Sequence, residues 1–191
     1  MPLFFKLYKP YGYLSQFITN EKPRKKNKKL LGELFDFPEG TMSIGRLDQD
    51  SEGLLLLTTD GKVSAEVTGQ KVEKEYFVQV DGKISEEAVA ALREGVEISI
   101  NGKKYQTLPS RAKILSKKPA FPERAKKIRG ERHGPTSWIS VTLTEGKFRQ
   151  VKKMTAAVGF PTLRLVRVRI GNERLGDMQP GEVVKKDNFQ L

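Results

Sequence analysis

Four consecutive leucines, Leu54 to Leu57, constrain this chain more than any other stretch. They follow Ser51-Glu52-Gly53 and end in Thr58-Thr59-Asp60-Gly61. A short unbroken apolar run bounded by turn residues fits a strand buried on both faces. Just before it, Gly45-Arg46-Leu47-Asp48-Gln49-Asp50 carries a turn glycine and two acids, with Glu52 a third. An acid-bearing loop therefore feeds directly into the core. A carboxylate held stiffly beside a core is suited to reactive chemistry, and Asp48 is the expected reactive residue.

Strand signals recur on either side. Leu3–Tyr8 has strand composition and is broken by Lys9-Pro10-Tyr11-Gly12. The alternation in Lys74–Val80 puts Tyr76, Val78 and Val80 on one face and Glu75, Phe77 and Gln79 on the other. Ser85 is placed to cap a helix with Glu86 and Glu87 in its first turn, ended by Gly95. Asn101-Gly102 predicts a tight hairpin between 96–100 and 103–107. Further strands are expected over 41–44, 111–115, 136–144, 163–170 and 182–185, and helices over 30–37, 62–68 and 148–158. In 136–144, Trp138 shares a face with Ser140 and Thr142, and Ile139, Val141 and Leu143 take the other. The phase slip at Leu165-Val166 suggests a bulge or a change of buried face, and Arg164, Arg167 and Arg169 read as an exposed basic stripe. Strands joined by hairpin turns point to an α+β fold, a mixed and mainly antiparallel sheet with flanking helices. With no repeat and no linker, 1–191 is expected to be a single domain, with room for two lobes around a cleft.

Composition narrows the chemistry. No cysteine is present and His133 is the sole histidine, which excludes thiolate chemistry and leaves little for a histidine site. The net charge of +12 calls for an anionic partner, and nucleic acid fits better than a membrane because no basic amphipathic helix stands out. Two stretches concentrate that charge. Lys22 to Lys29 holds six basic residues in eight, and the turn-rich segment 116–135 holds seven between Lys117 and Arg132. Each reads either as a solvated loop or as a phosphate-contacting one. No leader or membrane-length apolar run is visible, so the cytoplasm is the expected location.

On spacing alone, Asp48, Asp50 and Glu52 fit three roles: magnesium ligands of a nuclease, a helix start, or solvated loop charges. The ordered motifs favour another. Gly45-Arg46-Leu47-Asp48 with Ser51-Glu52-Gly53-Leu54-Leu55 resembles the signature of RNA pseudouridine synthases of the RsuA-like family. Lys9-Pro10 with Gly12, Lys74-Glu75-Tyr76, and Glu145-Gly146-Lys147-Phe148-Arg149-Gln150-Val151-Lys152-Lys153-Met154 resemble that family's other motifs in the same order. Pro135 to Trp138 and Gly159 to Leu165 resemble the branch acting on the large ribosomal subunit.

The resemblance implies the pseudouridine synthase fold without an N-terminal S4 module. It implies isomerisation of a flipped-out uridine in ribosomal RNA, with 23S RNA expected and no cofactor or metal needed; a monomer is expected apart from the resemblance. It gives Asp48 the part of nucleophile or base, pairs Lys152 with it, and sets Tyr76 on the flipped base. Arg46 would fill the vacated stack, Leu165 would line the uracil pocket, and Arg149 and Lys74 would bind substrate. A non-catalytic RNA-binding assembly factor on the same fold remains the alternative.

Overall fold

The computed structural model describes residues 1–19, 28–69 and 71–191. Its strands are β1 (Phe4–Lys9), β2 (Met42–Ile44), β3 (Glu52–Thr58), β4 (Lys74–Asp81), β5 (Glu97–Ile100), β6 (Lys103–Gln106), β7 (Arg111–Ile114), β8 (Thr136–Leu143), β9 (Thr162–Ile170), β10 (Glu173–Arg174) and β11 (Val183–Lys186). Three helices accompany them: α1 (Gly61–Gly69), α2 (Glu86–Glu94) and α3 (Gln150–Ala157). This is the expected α+β class, with antiparallel strand pairs and an isolated parallel bridge between Tyr13 and Lys29. No helix among the described residues is long and apolar enough to cross a membrane.

The chain divides into two compact units, Met1–Val72 with Pro122–Lys126 and Arg167–Leu191, and Glu73–Phe121 with Lys127–Val166. In the first, β1 pairs with β3 on one side and β11 on the other, and β2 lies along β3. Leu54 to Leu57 are fully buried, as the leucine run demanded. Leu55 and Leu57 join Phe5, Leu7 and Leu31 in one apolar cluster. Burying each such side chain stabilises the fold by about 2 kcal/mol.

The helix expected over 30–37 is instead one 3-10 turn, Leu31–Glu33. Phe35 and Phe37 both reach Phe5, with ring centroids at 6.1 and 5.5 Å. Residues two apart cannot share a helix face, and Pro38 pushes Phe37 out of the helical region. Of the basic run at 22–29, Lys22 to Lys26 lie outside the described residues.

In the second unit, β8 pairs with β4 in a register that sets Tyr76 against Val141 and Gln79 against Trp138, and β7 flanks β8. The expected faces hold: Val78, Val80, Ile139, Val141 and Leu143 enter a core shared with Val89 and Leu92 of α2 and with Val151 and Met154 of α3. Ser85 accepts a bond from the Ala88 N–H, the predicted helix cap. Asn101 and Gly102 both have positive φ (51° and 75°), so the β5–β6 hairpin closes as the sequence predicts.

Two expectations need correction. Arg164 and Arg167 are buried, at 8% and 4% exposure, so 164–169 is no exposed basic stripe. Each has a local partner: the Arg164 guanidinium lies 5.7 Å from the Phe121 ring centre, and Arg167 Nε donates to the Leu54 carbonyl at 2.8 Å. The segment 116–135 is tethered rather than merely solvated. Phe121 packs against Phe77 and Trp138 on the second face of the sheet, and Arg129 bonds Asp81 and the carbonyls of Gly134 and Pro135.

Candidate active-site elements

In the first unit, the Asp48 loop joins β2 to β3, and both neighbours of Asp48 are fixed. The Leu47 N–H donates to Ser15 Oγ at 3.0 Å, and that hydroxyl donates back to the Leu47 carbonyl at 2.9 Å. Ser43 Oγ in turn donates to the Ser15 carbonyl at 3.1 Å. On the other side, the Gln49 carbonyl accepts from the Gly12 N–H at 2.8 Å. Lys9, with no exposed surface, donates from Nζ to the carbonyls of Pro10 (2.9 Å), Tyr13 (2.7 Å) and Gln49 (3.4 Å). A turn closes the loop, Ser51 N–H to Asp48 carbonyl at 3.0 Å. Carbonyls buried without such donors would be costly, so the Lys9-Pro10-Tyr11-Gly12 segment works as a clamp on the acid loop.

Gly53 sets the junction with β3. Its φ is +109°, and a Cβ there would lie 2.3 Å from the Arg167 carbonyl oxygen. Only glycine fits both conditions. Asp48 is half-buried and Arg46 is exposed on the same loop. Glu52 starts β3 and is 2% exposed. Among the described residues no three His, Asp or Glu side chains are grouped to hold a metal ion, so the reading of Asp48, Asp50 and Glu52 as a ligand set has no geometric support.

The second unit carries Lys74, Tyr76, Arg149, Lys152 and Leu165. Tyr76 is half-buried on β4 and packs against the apolar core that contains Leu165, itself 4% exposed. Val151 and Met154 of α3 enter the same core, which places Lys152 between two buried anchors. Lys74 Nζ donates to the Thr144 carbonyl at 3.1 Å, linking the start of β4 to the end of β8.

The turn leading into α3 is built around Glu145. One carboxylate oxygen accepts from the Tyr105 hydroxyl. The other accepts from the Leu108 N–H at 3.0 Å and from Gln150 Nε2 at 2.7 Å. Gln150 Oε1 then takes the Lys147 N–H at 3.2 Å. The hydrogen bond to Glu145, with some desolvation and the carboxylate's charge, raises the Tyr105 pKa above its ordinary value of 10.0. Arg149, at the helix start, is left-handed with φ 51° and ψ 33°, an uncommon state for a residue with a side chain.

The sequence placed Asp48 and Arg46 on one loop, and the structure brings Tyr76, Leu165 and the helix of Lys152 to one core. It named Lys9 and Glu145 only as motif members and missed Ser15 and Tyr105. Their partners lie 32 and 40 residues away, and short-range patterns carry no signal for such pairs.

Comparison with known proteins agrees with these elements. A family model described as RNA pseudouridylate synthase matches residues 4–157. The chain is 42% identical over 91% of its length to a ribosomal large subunit pseudouridine synthase E of Vibrio parahaemolyticus, covering 69% of that protein. It is 43% identical, again over 91%, to the protein of that name from Xanthomonas axonopodis pv. citri, covering 88% of it. A crystal structure of a pseudouridylate synthase superposes with a TM-score of 0.76 at 29% identity, over 97% of this chain and 70% of that one. The match takes in the Asp48 loop, the Tyr76 strand and the whole of α3, and the chain belongs to the RNA pseudouridylate synthase family.

Proposed function

We propose that this protein isomerises a uridine to pseudouridine in ribosomal RNA, with 23S RNA of the large subunit as substrate. Support for the reaction comes from the family membership. Support for the substrate comes from the names of the relatives and from the net charge of +12. The carrying observation is the clamped Asp48 loop, whose flanking carbonyls are bonded by Ser15, Gly12 and Lys9.

In this reading the target uridine leaves its stack, at a cost of a few kcal/mol, and Arg46 offsets that loss from the exposed end of the loop. Asp48 acts as nucleophile or base. The bond from the ribose C1′ to N1 breaks, the uracil turns, and C1′ bonds C5; the C5 proton leaves and N1 gains one, so the atoms balance. Tyr76 supplies a ring for the base, Leu165 an apolar wall, and Lys152 a positive charge to pair with the aspartate. Lys74 and Arg149 contribute to substrate binding.

Mass-spectrometric mapping of pseudouridine in ribosomal RNA tests this, in cells lacking the protein and restored with wild type or Asp48→Asn. Loss of one large-subunit pseudouridine that only wild type restores is expected. An unchanged map, or full rescue by Asp48→Asn, overturns the reading.

A further inference from the structure

In the turn from Glu145 to Gln150, Phe148 is an aromatic side chain that neither the core nor the proposed chemistry uses. Phe148 is 66% exposed. Its position is not slack. Both Glu145 oxygens are engaged by Tyr105, Leu108 and Gln150, the Gln150 N–H bonds the Lys147 carbonyl at 3.1 Å, and Gln150 Oε1 bonds the Lys147 N–H. With the turn closed on both sides, Arg149 takes a left-handed conformation. Such conformations persist where the surroundings over-determine them, and they cluster at functional sites. Here the closed turn sets Phe148 outside the helix and away from the core.

The surroundings of Phe148 are cationic. Lys153 Nζ lies 5.1 Å from its ring centre, and Lys147 Nζ lies 5.0 Å from the Tyr105 ring. Lys147 is exposed and Lys153 half-buried. An exposed aromatic ring with one ammonium group over it and a second lysine adjacent in the chain suits an unpaired base, which stacks on the ring while its phosphates meet the lysines. It suits a protein partner poorly, because the centres of such interfaces are depleted in charge.

We propose that Phe148 is a stacking platform for an unpaired base of the substrate RNA other than the reacting uridine, with Lys147 and Lys153 contacting the adjoining phosphates. This rests on the RNA pseudouridine synthase reading above.

The test combines ring variants with an RNA scan. Steady-state kinetics on a ribosomal RNA fragment that wild type modifies should show KM rising about 5- to 150-fold in Phe148→Ala and in Phe148→Leu, with a smaller change in kcat. Phe148→Tyr, which keeps the ring, should stay within about twofold of wild type. Abasic substitution along the fragment should reveal one position, outside the target, that weakens filter binding by wild type but not by Phe148→Ala. Because the side chain is exposed, thermal melts of all three variants should match wild type. Leucine behaving like phenylalanine, or no abasic position losing its penalty in Phe148→Ala, overturns the proposal. If wild type converts no uridine in any ribosomal fragment, the function reading fails instead, and the abasic scan still decides the stacking by binding alone.

Discussion

Two turns in this protein hold the residues proposed for function by opposite means. The Asp48 loop is pinned through its backbone by groups out of contact with water: Ser15 at 5% exposure and Lys9 at 0%. The Glu145–Gln150 turn is pinned by a carboxylate near the surface and leaves Phe148 and Lys147 to solvent. The difference is in what each turn does with its cations. Lys9 directs Nζ into three carbonyls of its own unit, whereas Lys147 and Lys153 lie against aromatic rings, in contacts that a phosphate can replace. Chemistry requires a fixed atom, and RNA binding requires an available charge.

Mutations that break the buried clamp should therefore act on stability and kcat, and those at the exposed turn on RNA affinity. The largest effect is expected at Gly53→Ala, where a positive φ and a 2.3 Å approach to the Arg167 carbonyl coincide. A loss of about 3 kcal/mol or more in urea unfolding is predicted, enough to compromise folding. Next comes Lys9→Met, which keeps the aliphatic stem but removes the donors. It should lower stability by about 2–4 kcal/mol and reduce kcat for pseudouridine formation well beyond any change in RNA affinity; equal losses in both would erase the contrast between the turns.

Ser15→Ala strips both bonds from Leu47 and should cost about 1–3 kcal/mol in the same denaturation assay. At the other turn, Lys153→Gln should leave stability within about 0.5 kcal/mol and flatten the salt dependence of RNA binding by a slope of about 0.7–0.9. The smallest effect concerns Tyr105. Its pKa is raised in the folded state, so the folded form holds its proton longer than the unfolded chain does. The corresponding stability is fully present below the ordinary tyrosine pKa of 10.0 and is lost as pH rises through the folded value. Ultraviolet titration of Glu145→Gln should show one tyrosine shifted back toward 10.0.

How much of this was legible in the sequence depends on the range of the interactions. The leucine strand, the two faces of β4 and β8, the Ser85 cap and the Asn101-Gly102 hairpin are all written in neighbouring residues, and each formed as expected. Where a distant partner decides, the local pattern misled. The 30–37 segment follows Phe5 rather than its own periodicity, and Arg164 and Arg167 are buried because Phe121 and Leu54 receive them. Asp48, Tyr76, Lys152 and Leu165 are candidates drawn from ordered motifs, whereas the Ser15 hold on Leu47 is a purely tertiary fact.

The buried Lys9 nitrogen also has a consequence for chemical labelling. An amine-reactive reagent meets Lys104, whose side chain is 84% exposed, directly, but meets Lys9 only when the Lys9–Tyr13 segment lifts off the acid loop. The rate at which Lys9 is acylated is thus a clock for local opening of the loop that carries Asp48. Read by mass spectrometry with and without RNA, it reports whether substrate slows that opening, independently of turnover.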